Sequence, residues 1–269
     1  MELHTYTINY KSKTDKINII PLGDAHFGNL GFQKKRFLDM VEWIRRKDNT
    51  YTILMGDLLE CVVHTDKRFD PSSVDKDIKV SDLADLAMVQ ANWMIKALTP
   101  IKHKIIGIHA GNHEEKIRIV YHQDITNYMA IQLGVRYLGY EAFTRLRFKK
   151  GKCSRVLIMN SAHGSSNSRK AGGVLNIIID KSGYKDADIM IYGHTHKKFA
   201  SINTKLSVTK EGELKLQYKK SILGNTGSFL DGYTLGNSSY VERMDLPPSD
   251  LGVIKIEIIP YTGDLHCSE

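Results

Sequence analysis

No stretch of this 269-residue chain comes near the roughly 20 consecutive apolar residues that cross a bilayer. Its polar start lacks the apolar segment of a secretory leader, so no membrane association is expected. Cysteine is scarce: Cys61, Cys153 and Cys267 are isolated and odd in number. That excludes a disulfide framework or a thiolate zinc site and suits a reducing compartment, so the expectation is a cytoplasmic protein. There is no fixed-period repeat, no low-complexity linker and no convincing boundary. The expectation is one domain over 1–269 with a surface insertion near 60–80, the polar stretch around Asp70-Pro71-Ser72-Ser73. Acidic residues are outnumbered, 30 against 38 Lys and Arg, a net charge of +8. The excess is compatible with phosphate-bearing partners, DNA or RNA among them, and equally with a solvated basic surface.

What is present is a set of short apolar strands. Residues 2–10, Lys16–Leu22, Tyr51–Met55 and Ile105–Ile108 read as strands. Phe37, Val41 and Ile44 give residues 34–47 a helical face. Ser81 is a plausible N-cap for a helix to Leu98, and a further helix over 124–133 has Gly134 at its C-terminal cap. Beyond 135 the texture becomes β-rich: Phe143–Phe148, Arg155–Asn160, Ile189–Tyr192, Phe199–Val208, Leu214–Leu223 and Val253–Ile259, interrupted by one helix near Gly173–Asp180. Lys210-Glu211-Gly212 reads as a hairpin turn, and the lysines around it as the wet face of an edge. The fold class expected is α/β, two packed mixed sheets with flanking helices in four layers, α/β/β/α.

Five strand ends share one feature. The first central strand runs into Asp24 and His26, the second into Asp57, and the third into Asn112, His113 and Glu114. Two later ones run into His163 and into His194-Thr195-His196. Ligands of open α/β sheets gather outside the carboxyl ends of strands, so these groups can converge. Side chains one residue apart on an extended segment point the same way, which lets Asp24 with His26, and His194 with His196, face one centre. Carboxylate, imidazole and amide oxygen suit divalent first-row metals: manganese first, with iron, zinc, cobalt and nickel as alternatives. The ligand types outnumber what one ion takes and suit two ions bridged by a carboxylate. Any one of these residues alone is unremarkable; the ordered set of five is not.

The ordered pattern D-x-H, G-D, G-N-H-E, H, G-H-x-H resembles that of the calcineurin-like metallophosphoesterase superfamily. Here it stands as Asp24-Ala25-His26, Gly56-Asp57, Gly111-Asn112-His113-Glu114, His163 and Gly193-His194-Thr195-His196. The resemblance implies one metal on Asp24, His26, Asp57 and His196, and a second on Asp57, Asn112, His163 and His194. It implies a catalytic His113 over the substrate phosphate, its imidazole oriented by Glu114. Gly56-Asp57 is followed by Leu58-Leu59-Glu60-Cys61, without the arginine of the superfamily's protein phosphatases, which points away from that branch.

The substrate implied is a phosphate ester, and the first reading is a phosphodiesterase or nuclease acting on nucleic acid or nucleotides. A phosphomonoesterase is the close alternative, and a non-catalytic nucleic-acid-binding scaffold the distant one. Loops near the motifs offer His64, Arg118 and Arg169 as candidate substrate contacts. A homo-oligomer is compatible with the sequence.

Overall fold

A computed structural model describes residues 1–63, 66, 69–168, 170–209, 212–236 and 238–269. In chain order the elements are β1 (Glu2–Asn9), β2 (Ile17–Leu22), α1 (Lys34–Arg46), β3 (Thr50–Leu54), α2 (Leu86–Leu98), β4 (Ile105–Ile108), α3 (Asn112–Tyr121) and α4 (Ile125–Leu133). They continue with β5 (Glu141–Lys150), β6 (Cys153–Ala162), α5 (Ala171–Tyr184), β7 (Ile189–Tyr192), β8 (Lys198–Val208), β9 (Leu216–Thr226), α6 (Tyr240–Arg243), β10 (Lys255–Ile259) and β11 (Asp264–Ser268).

The strands form two mixed sheets, ordered β1-β5-β6-β7-β9-β8 and β11-β10-β2-β3-β4. Ile17, Ile19, Ile53, Met55 and Ile106 of the five-stranded sheet meet Phe148, Met159, Ile189, Ile191 and Ile222 of the other in a buried layer. The opposite face of the five-stranded sheet is covered by α1, α2 and α4 through Phe37, Ile44, Met94, Leu98 and Met129. Val174 and Ile178 of α5 cover Met190 and Leu223 on the far side. Every strand near the centre is therefore apolar on both faces, which is why β2, β3 and β4 read as nearly continuous apolar runs. The four-layer α/β/β/α class expected from the sequence is the class observed.

Two local features border the site-bearing sheet. Pro21 can donate no ladder hydrogen bond, and it lies beyond the stretch Ile17–Ile19 that β10 pairs. The Lys104 ammonium is buried and donates to the carbonyls of Ile44 and Lys47 at 2.8 and 2.7 Å, closing the C-terminal end of α1.

Several local expectations change. Asn112–Glu114, beyond the third strand, form the first turn of α3, for which Gly111 supplies the extended N-cap backbone. Ser81 caps nothing: residues Val80–Asp85 wind as a 3₁₀ helix and the α-helix begins at Leu86. β11 was not anticipated, since its alternation of Leu265 and Cys267 with polar residues is only five residues long. The region near 60–80 includes a short 3₁₀ turn, Pro71–Ser73, stitched to the loop after β2 by Leu30 N–H to Ser73 O and Asp75 N–H to Gly28 O. Of the anticipated hairpin turn, Lys210 and Glu211 lie outside the described residues.

Candidate metal centre

β2, β3 and β4 run parallel, so their carboxyl ends open on the same rim. The parallel β6–β7 pair of the other sheet ends on that rim too, at Ala162 and Tyr192. Asp24, His26, Asp57 and His163 are buried there, and Asn112, His113, His194 and His196 are partly exposed. The backbone enters this cluster by an unexpected route. Asp24, His26, Asp57, His194 and His196 all adopt left-handed conformations, with φ between 46° and 72°. The extended-segment explanation for the D-x-H and H-x-H spacings is therefore wrong. The strands stop short, at Leu22 and Tyr192, and alternating left-handed residues turn both side chains inward. Non-glycine residues held there cost about 1 kcal/mol or more each, and such strain collects at functional sites.

Close approach of backbones requires glycine at one position above all. A Cβ on Gly111 would stand 2.1 Å from both the amide nitrogen and Oδ1 of Asp57. The space is taken because Asp57 Oδ1 accepts the His113 N–H at 2.9 Å, tying the start of α3 to the end of β3.

The side chains then meet with ring nitrogens and carboxylate or amide oxygens converging. His163 Nδ1 lies 2.8 Å from the Met55 carbonyl, and only a protonated nitrogen can bond a carbonyl, so Nε2 of the neutral ring is a bare lone pair. That lone pair faces Asn112 Oδ1 at 3.0 Å, Asp57 Oδ2 at 3.3 Å and His194 Nδ1 at 3.3 Å. His26 Nδ1 is committed to Glu60 Oε2 at 3.0 Å, so its Nε2 is also bare. It faces His196 Nε2 at 3.1 Å, which in turn lies 3.4 Å from Asp24 Oδ1. Asp57 Oδ2 is 3.9 Å from His26 Nε2 and so stands between the two groups. Converging lone pairs repel unless a proton or a cation sits among them. Asp24, His26 and His196 form one set that could hold an ion, and Asp57, His163 and His194 form another.

The local field agrees. Burial lowers the pKa of the His163 imidazole, but the Asp57 carboxylate, with Asp24 behind it, outweighs burial and takes it to about 10. Burial raises Asp24 and Asp57, and facing imidazoles (His196 for Asp24, His163 for Asp57) pull both carboxyls below their ordinary range. A pocket this negative draws a positive charge.

Two sequence expectations require correction. Glu114 does not orient His113. Its carboxylate accepts the backbone N–H groups of Asp57, Leu59 and Gly111, each at 3.0 Å, and so pins the turn after β3 to the start of α3. Burial and the Asp57 carboxylate push Glu114 up to about 7, against the Leu59 N–H and the His163 imidazole. Arg118 lies farther along α3, and its guanidinium is engaged by Glu115 rather than by the cluster, because residues three apart face each other on a helix. His64 and Arg169 lie outside the described residues.

Sequence reasoning missed Glu60. Its carboxylate holds His26 Nδ1, its backbone carbonyl accepts from His113 Nδ1, and its other oxygen accepts from Asn29 at 3.2 Å. One residue thereby fixes the tautomers of two imidazoles, and the signal available was a carboxylate three residues after Asp57. Ser249 plays a smaller part, with Oγ 3.4 Å from His196 Nδ1. Replacing Glu60 by Gln is expected to weaken Mn²⁺ binding about 10–100-fold, as loss of an outer-sphere carboxylate does. Calorimetric titration checks this, and an unchanged affinity would show that Glu60 does not position His26.

No family model matches the chain, and no curated protein matches it. Solved structures do. A conserved uncharacterized protein, a predicted phosphoesterase, from Streptococcus pneumoniae is 15% identical, with 91% of this chain and 84% of that one covered and a TM-score of 0.34. Vps29 from Entamoeba histolytica, as a single mutant, is 14% identical over 94% and 97%, with a TM-score of 0.35. A metallophosphoesterase from Sphaerobacter thermophilus is 12% identical over 94% and 89%, with a TM-score of 0.32. Likenesses at these identities and scores carry nothing about the chemistry, which rests on the side chains.

Proposed function

We propose that this chain is a metal-dependent phosphoesterase that hydrolyses phosphodiester bonds, of nucleic acid or nucleotides, with two divalent cations. The observation that carries the reading is the adjacency of two donor groups, Asp24, His26 and His196 beside Asp57, His163 and His194, with Asp57 Oδ2 3.9 Å from His26 Nε2. Asp24, His26, Asp57 and His196 would hold one cation, and Asp57, Asn112, His163 and His194 the other. The superfamily resemblance of the same residues supports this assignment; their carboxylate, amide and imidazole donors suit divalent first-row metals, of which manganese is the one proposed. Two cations there would lower the pKa of bound water towards neutrality and neutralise phosphate oxygens.

The chain's own residues supply the rest. Because His113 Nδ1 donates to the Glu60 carbonyl, Nε2 is the ring atom that exchanges a proton. His113 stands edge-on to His26, ring centroids 4.7 Å apart, beside the cluster and outside both ligand sets. From there it would protonate the leaving oxygen or stabilise the charge on the phosphate. Glu114 and Gly111 keep the turn that carries Asp57 and the helix that carries Asn112 in register.

The distinguishing experiment is hydrolysis of bis-p-nitrophenyl phosphate against p-nitrophenyl phosphate with Mn²⁺. The diester is expected to be cleaved faster. A diester rate no higher than the monoester rate would reassign the protein as a phosphomonoesterase, and no hydrolysis of either would favour the binding scaffold. Cleavage of single-stranded DNA, duplex DNA, RNA and cyclic nucleotides then narrows the substrate. Among the described residues no helix is long and apolar enough to cross a membrane.

A further inference from the structure

The β8–β9 hairpin carries an apolar surface that nothing among the described residues covers. The two strands pair without a bulge from Lys198↔Thr226 to Val208↔Leu216. β7 pairs β9 only over Ile222–Asn225, so among the described residues the outer part of the hairpin, Thr204–Val208 with Leu216–Lys220, is a two-stranded ribbon. Such a ribbon is marginally stable in water unless a further layer packs on it.

Its two faces differ. Ile222 and Ala200 belong to the layer between the sheets, so their face continues outward through Ile202, Leu206, Val208, Leu216 and Tyr218. These five side chains are 45%, 63%, 50%, 63% and 68% exposed. The other face carries Lys205, Ser207, Gln217 and Lys219, with Lys205 donating to the Ser182 carbonyl and Lys219 paired with Asp186 at 2.6 Å. The ribbon thus keeps the alternation of a half-buried strand while its apolar half lies in water. β11 lies against the two strands and leaves that half exposed.

We infer that this face is a dimer interface, occupied by the same face of a second copy of the chain. Packed face to face about a two-fold axis, two ribbons make a four-stranded, two-layer sandwich, which supplies the layer each lacks. The five side chains expose roughly 550 Å² per copy, an apolar centre of the right order for a standard interface of about 800 Å² per partner once its polar rim is added. Charge favours this occupant. Lys205 and Lys219 point away from the apolar face, and Lys220, at its margin opposite Thr204, is the one cation on that face among the paired residues Thr204–Val208 and Leu216–Lys220, so a nucleic-acid backbone finds little to bind. Beyond the strands stands exposed Glu213, paired with Lys215 at 2.8 Å, an acidic group unsuited to insertion into an anionic bilayer.

The test is sedimentation equilibrium of the full chain, with Leu206→Glu and Tyr218→Glu as variants. The wild type is expected to sediment as a dimer at micromolar concentrations, and each variant to dissociate at least about 100-fold more readily, as for residues central to an interface. Circular dichroism and Mn²⁺ binding should be unchanged in both. Hydrogen exchange of wild-type amides over 204–208 and 216–220 should slow as concentration rises, a readout independent of any substitution. A wild type that stays monomeric, variants that remain dimeric with wild-type affinity, or ribbon exchange that ignores concentration would each overturn the inference. Monomer that co-sediments with anionic phosphatidylserine vesicles would overturn it in favour of a lipid surface.

Discussion

Asp57→Asn is expected to abolish turnover and to release metal. Asp57 Oδ2 is the oxygen that reaches both clusters, 3.3 Å from His163 Nε2 and 3.9 Å from His26 Nε2. An amide offers one neutral oxygen where the carboxylate offers charge to two centres, so metal content should fall from two equivalents to one or none. Turnover should drop roughly a thousandfold or more, as for loss of a group used throughout the reaction. Asparagine is preferred to alanine because Asp57 sits at φ 46°, a conformation asparagine tolerates and alanine resists. The metal-free variant should unfold at a lower temperature than the metal-free parent. Facing imidazoles, His163 first, hold the Asp57 carboxyl below its ordinary range, and that attraction, larger than the repulsion from Asp24 and Glu114, is lost with the charge. Elemental analysis and thermal unfolding read the two effects. Two equivalents retained would show that Asp57 is not shared.

His113→Ala should separate chemistry from metal binding. The His113 backbone N–H, not its ring, supports Asp57 Oδ1, so alanine keeps that bond and two equivalents of metal should remain. Turnover should fall about 10²–10⁴-fold, the range of a positioned general acid. The leaving group then tells which role the ring plays. A p-nitrophenolate departs without a proton and an alkoxide does not, so a proton donor is missed far more on an alkyl ester. Equal losses on both esters would assign His113 to charge stabilisation instead. Unchanged turnover would remove it from the reaction altogether.

These expectations rest on features of unequal visibility in the sequence. The strands were legible because burial on both faces makes them short apolar runs, and Ile256 and Ile258 of β10 alternate with Lys255 and Glu257. The residues at the strand ends were legible because polar groups at the mouth of a core strand are costly and must serve something. Glu60 and Glu114 were not distinguishable. Each is a carboxylate within three residues of a motif histidine or aspartate, and which imidazole or amide each meets depends on the turn after Asp57. That turn passes through left-handed residues at Asp57 and Cys61, a geometry that neighbouring packing imposes and local propensity disfavours. The hairpin read as a solvated edge shows an apolar face only when β7 is seen to stop pairing at Ile222.

The sequence by itself determined the inventory: which strands are central, which donors stand at their ends, and that no thiolate joins them. Tertiary structure decided the pairings: Asp57 between the two imidazole sets, Glu60 rather than Glu114 on the histidines, and a ribbon left without its second layer. The division has a physical cause. Periodicity and composition act over a few neighbouring residues and report which face is buried. Two ring nitrogens 3.1 Å apart from residues 170 positions distant, those of His26 and His196, meet only once the sheets have closed.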